Sequence, residues 1–333
     1  MLAAKGHWGC QRPRGGQYFS DMPTIAGICL DAPVLLAAGT AGVLDEMADV
    51  LDLSPAGGVG AVISKSITPL ARDGNQTWRI LPAGSVGMLN AIGLANPGVE
   101  VFIRDYLPRA KAVRTNVFVS VAGFSADDYK VVASAVDAWS AANGGIIRAI
   151  ELNVSCPNVK TGVEFGGSPE LIRELLDHVR PHVGTCKIIV KLSPMTSELV
   201  AIARAAVEAG ADALTLCNTI PAMAIDVHTR RPKLANVTGG LSGPAVHPVV
   251  VRHIYEVYRK VTREKGVPIL GLGGVCNWED AAEFVLAGAS AVQVGTMLFA
   301  DAAAPRRIAK GLAKWCSQQG AADIGSLVGT VAV

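Results

Sequence analysis

Eight short runs rich in β-branched and apolar residues alternate with longer amphipathic stretches along this 333-residue chain, and that alternation most restricts its fold. Strands are expected at Val34 to Ala38, Gly60 to Lys65, Val117 to Val121, Ala149 to Val154, Ile188 to Leu192, Ala213 to Cys217, Pro268 to Leu272 and Ala291 to Val294. The intervening pattern predicts helices over Leu44 to Leu51, Ala126 to Ala142, Pro169 to Val183, Ser197 to Ala209, Val246 to Val261, Trp278 to Ala287 and Ala302 to Trp315. Runs such as Ile188-Ile189-Val190 are continuous rather than alternating, as strands covered on both faces require. Ser125, Thr196 and Asn277 stand where N-caps belong, and Gly210 and Gly288 where helices should stop. A doubly wound open sheet would need a glycine fingerprint opening its first helix, and none follows the first strand. The expected fold is therefore α/β, a (β/α)8 TIM barrel with inserted loops over its C-terminal face, where the functional residues must lie.

Composition narrows the partners. Hydrophobic residues make up 50% and charged residues 17%, with 36 glycines, which suits a large core with many tight turns. A net charge of +2 gives no reason to expect a nucleic-acid partner. Cys10, Cys29, Cys156, Cys186, Cys217, Cys276 and Cys316 are odd in number and scattered, unlike a disulfide framework, so a reducing cytoplasm is expected. No C-x-x-C pair or zinc-type histidine spacing occurs, so neither an iron-sulfur cluster nor a structural metal is expected in this chain. Residues 1–22 read as a disordered extension before a single domain over 23–333. The apolar stretch from Ile25 is broken by Asp31 and Pro33, so no membrane segment is expected.

The strand ends carry the chemistry. Lys65-Ser66 follows the second strand, the fourth ends in Asn153 to Asn158, the fifth contains Lys191, and the sixth ends in Asn218-Thr219. Gly273-Gly274 and Gly295-Thr296 follow the seventh and eighth. Adjacent glycine loops leave N–H groups free to wrap a phosphate, although for any one glycine a tight turn is explanation enough. Carboxamides at Asn90, Asn153, Asn158 and Asn218 suit a flat ligand whose rim alternates carbonyls and N–H groups, although a single asparagine more often satisfies its own loop. Lys65 and Lys191 should meet something anionic, a ligand or the nearby Glu151. Cys156, followed by Pro157, is a thiol in a loop rather than a core filler, the role expected of Cys29, Cys186, Cys276 and Cys316.

Asn153-Val154-Ser155-Cys156-Pro157-Asn158, Gly87 through Leu94 and Gly239-Gly240-Leu241-Ser242-Gly243-Pro244 resemble the signatures of class 1 dihydroorotate dehydrogenases, from about residue 23 to near the end. The resemblance implies an FMN enzyme of pyrimidine biosynthesis that oxidises dihydroorotate to orotate, with Cys156 as the catalytic base. It implies substrate contacts at Lys65, Asn90, Ala91, Ile92, Gly93, Leu94, Asn153, Asn158, Asn218 and Thr219. It implies an FMN cradle of Lys65, Ser66, Asn153, Lys191, Cys217, Gly243, Gly273, Gly274, Gly295 and Thr296. Ala38 stands where relatives often carry serine, and Ser120 where they usually carry asparagine, so both positions belong to the expected cradle with altered hydrogen bonding. The text Val159-Lys160-Thr161-Gly162 and Phe165-Gly166-Gly167 resembles class 1B, which implies a homodimeric core and a partner subunit holding FAD and an iron-sulfur cluster that passes electrons to NAD. A fumarate-reducing class 1A homodimer is the near alternative. A tRNA-dihydrouridine synthase-like barrel would need a further helical domain and a basic face. A non-catalytic scaffold would have no use for thiol, lysines and amides at one rim.

Overall fold

In the computed structural model, which describes residues 23–84, 86–155, 164–194 and 196–333, eight parallel strands close into one barrel. They are β1 (Val34–Leu36), β2 (Val59–Ile63), β3 (Asn116–Val121), β4 (Ile147–Asn153), β5 (Lys187–Lys191), β6 (Ala213–Leu216), β7 (Ile269–Leu272) and β8 (Ala291–Val294). Each lies within two residues of its expected span. Sequential strands pair all the way round, and β8 closes on β1 through Val292 opposite Val34.

Two apolar clusters follow from the period of two along each strand. Outward residues such as Val62, Val119, Ile150 and Leu214 pack against the helices. Inward residues Leu35, Ala61, Ile63, Phe118, Ala149, Ile189, Ala213, Leu270 and Ala291 fill the barrel. Ile25, Ile28 and Leu30 join this inner cluster from the hairpin Thr24–Ile25/Ile28–Cys29, which plugs the barrel at the end opposite the site. Small alanines on β2, β4, β6 and β8 alternate with bulky Leu35, Phe118, Ile189 and Leu270 on the odd strands, the layered filling of such barrels.

Helices Ala126–Ala142 and Trp278–Ala287 have the expected bounds. Ser125 caps the first by accepting from the Asp128 N–H, and Asn277 forms a reciprocal capping box with Asp280 on the second. Thr196 is not an N-cap: the helix begins at Leu199 with Glu198 before it, and the Thr196 hydroxyl accepts from the Glu198 N–H instead. The expected helix at Leu44 to Leu51 is one 3-10 turn, Glu46–Asp49, because the Glu46 carboxylate caps the Leu44 N–H and Ser54-Pro55 soon restarts the chain. A helical stretch from Val99 to Ala112 was not expected; Phe102–Tyr106 is a π turn and Pro108 follows, so its apolar residues break the regular period.

Cys186, Cys217 and Cys316 are buried free thiols and Cys276 is a partly exposed one. Cys29 departs from expectation: it is disulfide-bonded, to a partner outside the described residues. Among the described residues no helix is long and apolar enough to cross a membrane.

Candidate active site

The barrel's two-residue period builds the rim. Stepping up from the inward Ile63, Phe118, Ile189 and Ala291 reaches Lys65, Ser120, Lys191 and Gln293, and a further step on β8 reaches Gly295. Two insertions roof the rim as a four-stranded antiparallel sheet, in the order Ile220–Ala222, Gly239–Ser242, Met88–Asn90, Ile80–Pro82. The motifs at Gly87 to Leu94 and Gly239 to Pro244, about 150 residues apart, are thus neighbours, with Gly240 opposite Asn90 and Ser242 opposite Met88. Gly240 is needed there because a Cβ would overlap the Thr219 hydroxyl.

Between rim and roof lies a cavity of about 550 Å³, ample for a mononucleotide. Ala38, Lys65, Ser66, Asn153, Lys191, Cys217, Gly243, Gly273, Gly274, Gly295 and Thr296 line it, as do Asn90, Ile92, Gly93, Leu94, Asn218 and Thr219. Ala91 does not. It lines an adjoining cleft together with Ser155, Glu164, Arg72 and Phe124. Ser120 does not reach the cavity either: its hydroxyl is fully buried and bonds that of Ser66 at 2.8 Å. Cys156 and Asn158 lie outside the described residues; Ser155, immediately before them, lines the cleft.

The carboxamides form a relay. Asn218 donates to the Asn153 Oδ1 at 3.0 Å, and Asn153 donates to the Ser66 hydroxyl at 3.3 Å, which meets Ser120. Tyr129 fixes this line from behind by donating to the Asn153 carbonyl at 2.6 Å. Part of the amide capacity is spent locally, since Asn218 accepts from the Thr219 N–H and Asn90 donates to the Gly240 carbonyl.

Two ammonium groups share the cavity. Burial, then the charges of Lys191 and Arg79, hold Lys65 below the ordinary lysine range. Among the described residues Lys65 has no ion-pair partner, while Lys191 stands 4.0 Å from the buried Glu151. The Cys217 thiol, pushed up to about 12 by burial, is no nucleophile. Burial raises the Glu164 carboxyl in the adjoining cleft, offset in part by a hydrogen bond with Ser193.

Several groups escaped the sequence reading. His247 bonds the Gly273 carbonyl through Nδ1 at 3.2 Å and Glu283 through Nε2 at 3.0 Å, and its ring stacks on Phe284, so it clamps the glycine loop from outside. Gly274 has φ +76°, and a Cβ there would lie 2.7 Å from the Gly243 carbonyl oxygen and 2.8 Å from the His247 Cβ. The loop can pass this closely only without a side chain. Gly39 and Ser242 also line the cavity, and the Ser242 hydroxyl bonds that of Thr296 at 2.8 Å. No spacing signal marks His247, Glu283 or Gly39, which reach the site only through register.

The residues fit FMN. An uncommitted lysine and tightly packed glycine loops suit a phosphate, the relay of amides suits a flat heterocycle, and the cavity holds both. Fold and rim together define the class as a parallel barrel enzyme that works with a phosphate-bearing planar cofactor. The dihydroorotate dehydrogenase family model matches residues 22–315, and the chain belongs to that family. It is 44% identical over 308 residues to the catalytic subunit of dihydroorotate dehydrogenase B (NAD(+)) of Geobacter sp. (strain M21), covering 92% of this chain and 96% of that protein. The subunit of the same name from Desulforudis audaxviator (strain MP104C) is 45% identical over 306 residues, covering 92% and 95%. That of Caldicellulosiruptor bescii (strain ATCC BAA-1888 / DSM 6725 / KCTC 15123 / Z-1320) is 42% identical over 312 residues, covering 92% and 97%.

Proposed function

We propose that the chain is the FMN-holding catalytic subunit of a class 1B dihydroorotate dehydrogenase, oxidising dihydroorotate to orotate and passing electrons to NAD through a partner subunit with FAD and an iron-sulfur cluster. The observation that carries the reading is the roof pairing, which brings Asn90 to the same cavity as Lys65, Asn153, Asn218 and Thr219. Relatives named as catalytic subunits support the separate partner. The same proposal places the chain in the cytoplasm, which cell fractionation tests.

FMN, when bound, supplies an acceptor for the hydride leaving C6 of dihydroorotate. Its phosphate would lie on the loops at Gly243, Gly273-Gly274 and Gly295-Thr296, whose conformations leave N–H groups available. Lys191 and Lys65 would offset negative charge developing in the cavity, and preorganised groups do this without reorganisation during reaction. Asn90, Asn153, Asn218 and Thr219 would hold the pyrimidine rim, with the relay to Ser66 and Ser120 fixing the Asn153 amide. Cys156 takes the C5 proton, which the neighbouring carbonyl acidifies. A free thiol near pKa ~8.5 is only a few per cent thiolate at neutral pH, so the rate should rise with pH.

Cys156→Ala tests this. The variant should hold yellow FMN as the wild type does, yet be bleached by dihydroorotate about 10²–10⁴-fold more slowly in anaerobic stopped flow. Equal bleaching rates would remove Cys156 from the proton transfer. In the same apparatus, reduced wild-type protein given NAD should regain colour only when the electron-transfer subunit is added; reoxidation by fumarate alone would favour class 1A.

A further inference from the structure

The period that lifts Asn153 and Gly295 to the rim also buries a carboxylate beneath them. Glu151 is fully buried in the barrel, one inward step below Asn153. Its Oε2 accepts from the Thr215 hydroxyl at 2.8 Å and from the Gln293 amide at 3.1 Å, and Gln293 also donates to Thr215 at 3.1 Å. The three belong to β4, β6 and β8, so with Ile63 of β2 they form one layer of the barrel. Below them are Ala149, Ala213 and Ala291, and above them the cavity.

Stability alone does not explain this layer. Well-packed apolar residues would serve a barrel interior at least as well, because a buried ion pair seldom recovers its desolvation cost. The layer is also incompletely bonded: among the described residues, Oε1 of Glu151 and Oε1 of Gln293 are buried without hydrogen-bond partners. Lys191, itself only 6% exposed and lining the cavity, brings its ammonium to 4.0 Å from that free Glu151 oxygen. Too long for a hydrogen bond, the separation still leaves two opposite charges coupled in a weakly screened interior.

We propose that Glu151, held by Thr215 and Gln293, is a positioning residue that pairs with Lys191 and sets the net charge of the cavity floor, and thereby how readily a redox group bound above accepts electrons. The inference rests on the flavin reading given above. Reduction adds negative charge to the cavity; the Lys191 ammonium favours it and the Glu151 carboxylate opposes it. Lysine with its carboxylate stabilises the reduced state less than lysine alone. Removing the carboxylate while keeping its shape therefore makes the bound flavin easier to reduce.

The test is a reductive titration of flavin-loaded Glu151→Gln against a reference dye, with dithionite as reductant so that no substrate is needed. The equilibrium should move at least tenfold toward the reduced form, about 30 mV for a two-electron couple. Glu151→Asp draws the carboxylate back from Lys191 while keeping its charge, and should move the equilibrium the same way by about threefold. It serves as the second test should Glu151→Gln fail to retain flavin. A purely structural role for Glu151 predicts lower melting temperature and weaker flavin retention with the potential unmoved. An unmoved or lowered potential in either variant overturns the inference. Wild-type protein that binds no flavin would overturn the functional reading itself.

Discussion

Lys65 shows most directly how a single residue couples burial to function. Its ammonium is held low mainly by burial, so in the ligand-free protein its folded value lies below its unfolded one. The unfolded chain then binds the extra proton, and stability rises as pH rises through the depressed value. An anionic cofactor reverses the preference because it pairs with the protonated form. FMN affinity of the apoprotein should therefore fall as pH passes upward through that value, and Lys65→Met should bind roughly 10- to 100-fold more weakly at neutral pH with a flatter profile, one lost charge-assisted contact being worth roughly 1.5–3 kcal/mol. Fluorescence titration of FMN across pH checks both; a variant with the wild-type slope would assign the pH dependence elsewhere. Residue types after strands made Lys65, Lys191 and Asn153 legible in the sequence. The place of the Ser120 hydroxyl behind Ser66 was not legible, because it depends on which strands are neighbours.

At the scale of elements, parallel strands buried on both faces leave continuous β-branched runs, and these made all eight readable. The roof was not readable. Its strands are two to four residues long, and the pairing of Met88–Asn90 with Gly239–Ser242 bridges a sequence separation that no local pattern reports. Helix Val99 to Ala112 was hidden by its π turn and Pro108, while Leu44 to Leu51 carried helical spacing without room for a helix. Glu151 was legible as an acid near the lysines, but its layer with Thr215 and Gln293 is a product of register, since nothing local sets those two apart. The close approach at Gly240 supplies a test of the roof. Gly240→Ala should push Thr219 aside at a cost of about 1–3 kcal/mol, raising KM for dihydroorotate roughly tenfold or more while flavin content stays the same. Loss of flavin with an unchanged KM would place this strand over the wrong end of the cavity.

The whole molecule divides its labour along the barrel axis. Ile25, Ile28 and Leu30 close one end, an apolar layer of alternating small and bulky residues rigidifies the middle, and a polar layer underlies the open rim. Such a stack seats Ser120, Asn153 and Lys191 on strands and the other rim residues in the loops directly above them, which suits a site that works by preorganised charge.

The central claim is that this cavity joins a flavin to a dihydropyrimidine, and an anaerobic titration of the purified, FMN-loaded wild-type chain with dihydroorotate tests it most directly. One equivalent should bleach the visible flavin band completely and yield one equivalent of orotate without any partner protein. A flavin band that stays unchanged under excess dihydroorotate, with dithionite still bleaching it, would contradict the claim.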